Sequence, residues 1–466
     1  MAKSRKKSNG TRIDLMEPLK FIHAHITEET CEEVFKSNRK TERQRLWTLK
    51  SLVDFWTAII LRAPKALRHA LEQVRKGSER DTYPHVESTP EAFFQRCQGL
   101  RWEFFGRIFE RFIVSVLPEA PLAYCSKFQY LRERFPEVWV WDGSRLDAIR
   151  KRLKILWDVT ATVLPGCLLC VYDLFRGIPR IVQYEMDAAK SEMKRIRDTM
   201  AQIPEGILIL GDRLSASVQL FAALAERKVF GLFRYNKQVT LVKGTCFGTK
   251  KVDGGVLEDW EVEAGTGATA EPQVLRYVCF RKGNRIERDV LTNVMDPEML
   301  TAEEAIDLYY CRWSIERMFY DLKVVLDLHR FYAANPNAVG MQVYAAFLVY
   351  AAMRIGQAMA ARQVQVEPEE ISTQKFFPRM ASASFKLSIV QDAFCQMHIF
   401  NPGKKLLDPS DEHLGKHYKW LSTTLEEVRV EERNEHRRKR RFCKGRKKWK
   451  SFKHVPGGPT LIRRGN

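Results

Sequence analysis

The stretch LYYCRWSIERMFYDLKVVLDLH, residues 308–329, holds the densest group of side chains that could do chemistry. Within it, Tyr309, Arg312, Glu316 and Lys323 lie at offsets of zero, three, seven and fourteen. At about 100° per residue, an α-helix would point these four side chains within about 60° of one another. One helix face would then carry a hydroxyl, a guanidinium, a carboxylate and an ammonium. Hydroxyl and cationic groups of this kind suit contacts with phosphate oxygens beside a reacting centre.

Two aspartates follow short apolar runs upstream of this stretch. The run VWVWDGS ends in the aspartate Asp142, and the run GILILGDR ends in Asp212. Short runs of β-branched, aromatic and large apolar residues, broken by small or polar residues, indicate buried strands. We therefore expect each aspartate at the end of a buried strand. Asp212 lies 70 positions after Asp142, and Glu316 lies 104 positions after Asp212.

The pattern Y-x2-R-x3-E-x6-K resembles the signature of a large subgroup of DDE insertion-sequence transposases. The DGS around Asp142 and the GDR around Asp212 are similar to the surroundings of the first two catalytic aspartates in that subgroup. The three matches occur in the expected order. The resemblance implies that Asp142, Asp212 and Glu316 are catalytic residues of a DNA transposase.

The resemblance also implies a site for two Mg²⁺ or Mn²⁺ ions. Two divalent cations about 3.5–4 Å apart can activate a water or 3′-hydroxyl and stabilise the leaving oxygen. Hard cations of this type prefer carboxylate oxygens. We expect Asp142 to bridge both ions, and Asp212 and Glu316 to hold one ion each. Without metal, three adjacent carboxylates would repel one another and their pKa values would rise.

Four residues are candidates for contacts with DNA phosphates. Tyr309, Arg312 and Lys323 would hold the strand beside the cleavage point, as the resemblance implies, and Arg213 is a further candidate next to Asp212. Other roles stay open at this point. Tyr309 could be a packed aromatic at a helix start, and Arg312 could form a structural salt bridge.

Some relatives in this subgroup cleave the second strand through a hairpin and hold a flipped base on an aromatic residue. Extruding a base requires such a stacking platform. Trp260 is the first candidate here, and Phe247, Tyr277 and Phe280 are alternatives.

The elements that must position these residues change in character along the chain. Residues 14–125 have a helical pattern, with a capping box predicted at Thr30 and Glu33 and a helix start at Thr89. From residue 138 the pattern alternates between strands and helices, and residues 236–298 are rich in strand-forming residues and Gly turns. Strands are predicted at 138–142, 163–173, 179–185, 206–211 and 229–235, and helices at 187–203 and 215–227.

The resemblance implies an α/β fold: an RNase H-like mixed-sheet catalytic core with an inserted β-rich subdomain, flanked by helical N- and C-terminal regions. The first helical region is expected to bind the ends of the element. The domain organisation then reads as a basic arm (1–13), a helical N-terminal region (14–125), the first part of the core (126–235), the β-rich insertion (236–298), the catalytic-glutamate helix and the next helix (299–360), a C-terminal helical region (361–430) and a basic tail (431–466).

The charge of the chain favours a polyanionic partner. Its 466 residues include 77 basic and 57 acidic residues, which gives a net charge of +20. Such a balance favours nucleic acid, and the resemblance selects double-stranded DNA, both transposon ends and target, bound by a homodimer or higher multimer. The apolar stretch Val343–Met353 is too short to cross a membrane, and the first ten residues lack a signal-peptide core. We therefore expect a cytoplasmic, nucleoid-associated bacterial protein without a membrane partner.

Ten cysteines are scattered along the chain, and Cys167 and Cys170 form its one C-x2-C pair. No second pair lies at zinc-site spacing, so we expect both cysteines in the core. Two functions compete with DNA transposition. One is a metal-dependent endonuclease without strand transfer, and the other is a non-catalytic DNA-binding protein on an RNase H-like scaffold.

Overall fold

A computed structural model of the chain describes residues 16–37, 45–77, 82–146, 166–187, 191–252, 254–265, 271–328, 330–333 and 335–381. The predicted basic arm and basic tail lie outside the described residues, and so does the predicted C-terminal region beyond residue 381.

Six helices precede the sheet in the described part of the chain. Three of them begin after a threonine whose hydroxyl accepts a hydrogen bond from a first-turn N–H, at Thr27, Thr48 and Thr89. These caps satisfy backbone donors that lack a helical partner. The helices are α1 (Pro18–His25), α2 (Glu28–Lys36), α3 (Leu49–Arg62), α4 (Leu67–Lys76), α5 (Pro90–Gly99) and α6 (Glu103–Val116).

The start predicted at Thr89 is confirmed, but the capping box predicted at Thr30 is wrong. Helix α2 begins at Glu28, and its cap is Thr27, so Thr30 lies inside the helix. Two acids in the first turn, Glu28 and Glu29, interact favourably with the helix dipole and explain the earlier start.

Nine strands of the described chain form one mixed sheet in the order β3-β2-β1-β4-β5-β9-β8-β7-β6. The pairs β1–β4 and β4–β5 are parallel, and the other neighbours are antiparallel. The four strands of the predicted β-rich insertion therefore continue the same sheet through β5 and β9. The strands are β1 (Val138–Arg145), β2 (Cys167–Asp173), β3 (Ile178–Glu185), β4 (Leu208–Gly211), β5 (Phe230–Arg234), β6 (Leu241–Val252), β7 (Gly255–Ala264), β8 (Gln273–Lys282) and β9 (Arg285–Thr292).

Side chains alternate across the central strands, so the sheet has an apolar cluster on each face. Val140 and Leu210 belong to the larger cluster, together with the N-terminal helices. Trp141 and Ile209 belong to the second cluster. The remaining helices are α7 (Glu192–Met200), α8 (Val218–Glu226), α9 (Ala302–Tyr309), α10 (Trp313–Tyr320) and α11 (Pro336–Gln363).

The predicted single helix over residues 308–329 is wrong. Helix α9 ends at Tyr309, a 3₁₀ turn spans Tyr310–Arg312, and a π-helical turn at Asp321–Val325 follows α10. The π turn begins at Asp321, a fully buried carboxylate that accepts hydrogen bonds from Thr373 at 2.7 Å and Arg317 at 3.2 Å. These contacts fix the point at which the helix widens. Such turns are often found at functional sites.

Helix α11 is the one described helix that is long and apolar enough, by length and composition alone, to cross a membrane. The whole of its most apolar window is buried inside the protein. It packs on α3, α6 and β3, and the Tyr344 hydroxyl donates a 3.0 Å hydrogen bond to the Val182 carbonyl. The prediction that Val343–Met353 is part of a buried helix is confirmed. Cys167 and Cys170 are likewise buried, in β2.

Candidate active site

Asp142 and Asp212 occupy matching positions on neighbouring strands. Strands β1 and β4 are parallel, with Val140 paired to Leu210, so each aspartate lies two residues beyond a paired position. Neighbouring strands are about 4.8 Å apart. The register therefore places both aspartates near each other at the carboxyl ends of the two strands.

Strand alternation also determines which helix these aspartates meet. Asp142 and Asp212 face the same side of the sheet as Val140 and Leu210, because side chains two residues apart point the same way. Helix α10 packs on β1, and its buried Ile315 belongs to the same apolar cluster as those two strand residues. The next residue on α10 is Glu316. The fold thus brings the three predicted catalytic residues to one end of the sheet.

Arg312 connects the helix to the strand. Its Nη2 donates a 2.7 Å hydrogen bond to Glu316 Oε1, and its Nη1 lies 3.8 Å from Asp142 Oδ2. The Arg312 side chain is 12% exposed, so solvent screens these contacts less than contacts at an open surface. Its buried Nε finds no hydrogen-bond acceptor within the described residues. The structural salt bridge considered for Arg312 is therefore present in this arrangement.

The environment of Asp142 disfavours its charged form. Burial raises the pKa of Asp142 from the ordinary 3.8 to about 6, and Arg312 opposes that rise. Asp212 and Glu192 raise the pKa further through repulsion between like charges, whereas the Gly143 N–H lowers it by donating to the carboxylate at 2.9 Å. The pKa of Asp142 thus reports a concentration of negative charge at this end of the sheet.

Asp212 also has a local structural role. Its Oδ1 accepts a 2.9 Å hydrogen bond from the Leu214 N–H, which caps the 3₁₀ turn Arg213–Ser215. Arg213 is exposed beside it. The guanidinium of Arg213 lowers the pKa of Asp289. Arg213 therefore adds positive charge at the rim of the site without being held by a described ion pair.

Lys323 reaches the same strand end in spite of the widened turn. Its Nζ donates a 2.8 Å hydrogen bond to Ser144 Oγ. Ser144 lies two residues beyond Asp142 and faces the same side of the sheet. The ammonium group of Lys323 is thereby fixed beside the strand that carries the first aspartate.

Tyr309 is partly buried at the end of α9. Burial raises the pKa of its hydroxyl, and the guanidinium of Arg312 opposes that rise. The guanidinium carbon of Arg312 lies 5.9 Å from the centre of the Tyr309 ring. Tyr309 and Arg312 are therefore neighbours in space as well as in sequence, and Lys323, attached to β1, completes the predicted set of phosphate contacts.

Trp260 lies apart from this group, on β7. Three strands, β5, β9 and β8, separate β7 from β4 in the sheet. Its ring has Lys243 Nζ 4.2 Å from its centre, and its indole N–H donates to Glu258 Oε2 at 3.1 Å. Of the alternative aromatics, Tyr277 is buried, whereas Phe247 is 38% exposed. No contact joins Trp260 to the carboxylates in the described part of the chain.

Glu192 is a site neighbour that sequence reasoning missed. It lies in the first turn of α7, and its carboxylate packs directly against Gly143. A Cβ atom at position 143 would lie 2.6–2.9 Å from the carboxylate atoms of Glu192. The sequence signal was limited to the missing side chain at Gly143, next to Asp142, and nothing in the sequence connected it with α7.

The donor set suits a hard divalent cation, although the carboxylates are not gathered as a complete ligand shell. No group of three acidic, His or Cys side chains within the described residues is close enough to hold a metal ion. Asp142 and Glu316 instead share the Arg312 guanidinium. Carboxylates that converge on a positive group, with one pKa raised by its acidic neighbours, fit a cation chemically. Asp142, Asp212 and Glu316 are the residues that would hold it.

Residues 165–352 match the family model described as the transposase DDE domain. This segment includes Asp212, Glu316 and the three signature residues Tyr309, Arg312 and Lys323, whereas Asp142 precedes it.

Three curated proteins are similar over part of their length. A transposase named y4zB from Sinorhizobium fredii is 29% identical over 189 residues, 40% of this chain and 51% of that protein. A transposase for insertion sequence element IS5377 from Geobacillus stearothermophilus is 24% identical over 195 residues, 41% and 51% of the two chains. A transposase for element IS4SA from Synechocystis is 24% identical over 160 residues, 34% and 44% of the two chains. The chain spans about half the length of these relatives.

Among solved structures, the piggyBac transposase synaptic complex with hairpin DNA is similar at a TM-score of 0.37 and 9% identity, over 86% of this chain and 90% of that chain. This similarity is too low to establish a shared fold. The family match and the names of the curated relatives confirm the resemblance that the motif predicted. Residues 165–352 of this chain belong to the transposase DDE domain family, and the chain is related to DDE insertion-sequence transposases.

Proposed function

We propose that this chain is a DNA transposase that binds the terminal inverted repeats of an insertion sequence and catalyses metal-dependent strand cleavage and strand transfer. The observation that carries the proposal is the position of Arg312, which contacts both Asp142 on β1 and Glu316 on α10. Asp212 lies at the matching end of the next strand. An acidic and cationic group of this composition suits DNA phosphodiester chemistry.

The catalytic core is proposed to be RNase H-like. Three features of the sheet support this interpretation: β1, β2 and β3 form an antiparallel meander, β4 and β5 continue from β1 in parallel, and α7 and α8 connect the later strands. The strands β6 to β9 then form a β-rich extension between β5 and the helices that carry the signature.

The three carboxylates are proposed as metal ligands. Asp142 would bridge two Mg²⁺ or Mn²⁺ ions, and Asp212 and Glu316 would hold one ion each. Bound ions of this kind activate the attacking oxygen and stabilise the leaving oxygen in phosphodiester reactions. Arg312 would exchange its carboxylate partners for a DNA phosphate, because a guanidinium fork pairs well with phosphate oxygens.

Other side chains would hold the strand at the reacting position. Lys323 is fixed by Ser144 beside β1 and offers a point charge. Tyr309 offers a hydroxyl donor next to Arg312, and exposed Arg213 offers a second guanidinium. Their combined effect would be to orient the scissile phosphate relative to the carboxylates, which is a large part of catalysis in such reactions.

Second-strand cleavage through a hairpin is a hypothesis for the pathway. In that case an extruded base would stack on an aromatic residue of the β-rich extension. Trp260 is the proposed platform, and Lys243 would have to leave one face of its ring. Cleavage products without hairpin ends would exclude this pathway.

The proposed partners are double-stranded DNA, as element ends and as target, and further copies of the same chain. The helical N-terminal region is proposed to bind the ends. The net charge of +20 supports a polyanionic partner. Action on DNA in a bacterial cell, at the nucleoid, follows from the same proposal.

The test is Mg²⁺-dependent cleavage of duplexes that carry the element's terminal sequence, read from the DNA that flanks the gene. Wild type and Glu316→Gln are compared for cleavage, and both are compared for DNA binding in chelator. We expect the wild type to cleave, and Glu316→Gln to bind equally well without cleaving. Equal cleavage by both proteins would remove Glu316 from the site.

Two other results would favour the competing functions. Cleavage without joining of the 3′-hydroxyl to target DNA would favour a metal-dependent endonuclease. Binding of the ends without cleavage by either protein would favour a non-catalytic DNA-binding protein.

A further inference from the structure

We propose that α4 (Leu67–Lys76) is the helix that reads the DNA sequence of the element's ends in the major groove, an inference that rests on the proposed function. Helix α4 is amphipathic. Its buried side is formed by Leu67, Ala70, Leu71 and Val74. Its other side is polar and accessible, and consists of the exposed Arg68, His69, Glu72, Arg75 and Lys76 with the partly buried Gln73.

The other described N-terminal helices lack a comparable surface. The exposed side of α2 is mainly acidic, and most of α3 is buried. On α5, the one basic side chain, Arg96, is buried. On α6, Arg111 already pairs with Glu33 at 2.8 Å. On α1, Lys20 is the one lysine or arginine. Helix α4 therefore has the most basic accessible surface among these helices.

The charge on α4 and its preceding turn is not neutralised within the described chain. Lys65, Arg68, Arg75 and Lys76 provide four positive charges, and Glu72 provides one negative charge. None of the ion pairs formed between described residues includes any of these four cations. A duplex would supply the missing negative charge, because each neutralised phosphate releases counterions and adds affinity.

The local geometry suits entry into a major groove. An α-helix with its side chains is about 10–12 Å across, and the major groove is about 12 Å wide. Helix α3 precedes α4 and is joined to it by a four-residue turn at 63–66, in which Ala63 has a φ of 42°. A helix, a short turn and a second, groove-reading helix are the order found in helix-turn-helix DNA-binding proteins.

The residue types on α4 divide between base contacts and phosphate contacts. A guanidinium such as that of Arg68 pairs with guanine, and an amide such as that of Gln73 pairs with adenine. His69 lies 3.3 Å from the Gln73 amide nitrogen. Arg75 and Lys76, in the last turn, would contact the backbone and fix the helix in the groove.

The turn before α4 is attached to the segment that follows the signature residues. The Tyr332 hydroxyl donates a 2.8 Å hydrogen bond to the Pro64 carbonyl. The Tyr332 N–H in turn donates to the Gln342 side chain on α11 at 3.1 Å. A duplex bound to α4 would thus be held by the same framework that carries the acidic site, so recognition and cleavage would have a fixed spatial relationship.

The experiment is a binding selection with the full chain, a random-sequence duplex pool and a chelator in place of metal. We expect the wild type to enrich one sequence motif. We expect the double substitution Arg68→Ala/Gln73→Ala to lower affinity for that motif by roughly 5- to 150-fold, with little change on a scrambled duplex. Lys76→Ala should weaken binding to both duplexes and reduce the salt dependence by about one phosphate contact.

The matched control is Lys36→Ala on α2, which removes one positive charge elsewhere in the N-terminal region and should leave the motif and its affinity unchanged. The proposal is overturned if the wild type enriches no duplex motif, if it retains single-stranded RNA rather than duplex DNA, or if the double variant selects the same motif with the same affinity. Because no metal is present, the selection does not depend on cleavage. Loss of cleavage with an intact α4-dependent motif would overturn only the proposed catalytic function.

Discussion

Lys323 Nζ donates a 2.8 Å hydrogen bond to Ser144 Oγ, and this contact attaches the π-helical turn to the strand end that carries Asp142. Ser144 and Asp142 face the same side of the sheet because they are two residues apart. The position of the Lys323 ammonium is therefore determined by the strand as well as by its own helix. This contact allows a phosphate-binding role of Lys323 to be separated from a structural one.

Replacing Lys323 by Ala should slow single-turnover cleavage of end DNA by about tenfold or more, because a charged hydrogen bond to phosphate would be lost. Ser144→Ala removes the partner but keeps the ammonium group, so its rate should fall by less than about threefold. Rates are measured at saturating DNA concentration. Equal losses in the two variants would mean that Lys323 acts by holding β1 rather than by binding phosphate.

The metal-free protein should become more stable at high pH when Asp142 is replaced by Asn. The pKa of Asp142 is raised to about 6 in the folded state, so its ionisation is harder in the folded than in the unfolded chain. Its contribution to the free energy of unfolding falls as pH rises from about 4 to about 6. Asp142→Asn should therefore match wild type near pH 4 and exceed it by up to about 3 kcal/mol at pH 8.

The measurement is urea unfolding in chelator at pH 4, 6 and 8, and the control is Asp198→Asn, the same chemical change at an exposed position on α7. Mg²⁺ at pH 8 should then stabilise the wild type but not Asp142→Asn, because a cation that binds only the folded state shifts the equilibrium towards it. A pH-independent difference between Asp142→Asn and wild type would contradict the assigned environment of Asp142.

Gly143 and Glu192 should show strong coupling in a double-mutant cycle. A Cβ atom at position 143 would lie 2.6–2.9 Å from the Glu192 carboxylate, so Gly143→Ala must displace that side chain. We expect Gly143→Ala to cost about 1–3 kcal/mol of unfolding free energy in the wild type. In the Glu192→Ala background the same substitution should cost less than about 0.5 kcal/mol, since the obstacle is absent. Equal costs in both backgrounds would show that the two residues are not in contact.

The sequence was informative wherever the signal was local. Apolar runs predicted the strands that end at Asp142 and Asp212, because a buried strand excludes polar residues until it reaches the edge of the core. The sequence could not specify the register of β1 and β4, which places the two aspartates side by side. It also missed the widened turn before Lys323, because that turn depends on Thr373, a contact 52 positions from Asp321. Glu192 was missed for the same reason: its contact with Gly143 is tertiary.

Gly177 should be among the least replaceable glycines of the sheet. It has a φ of +69°, and a Cβ atom there would lie 2.5 Å from ring carbons of Tyr124. The ring cannot withdraw easily, because the Tyr124 hydroxyl donates to the Arg354 carbonyl at 2.8 Å while Arg354 Nε donates to the Gly177 carbonyl at 3.1 Å. Gly177→Ala therefore combines an unfavourable backbone conformation with overpacking.

Gly283→Ala is the matched control, because Gly283 has a φ of +57° and no heavy atom within 4 Å of its added Cβ. Gly283→Ala should cost about 1–2 kcal/mol, the conformational penalty alone. Gly177→Ala should cost at least about 1–3 kcal/mol more, because the Tyr124 ring must move or the strand must shift. Both values come from urea unfolding followed by tryptophan fluorescence. If the two substitutions cost the same, Tyr124 has room to move, and the buried contacts of Arg354 do not hold it in place.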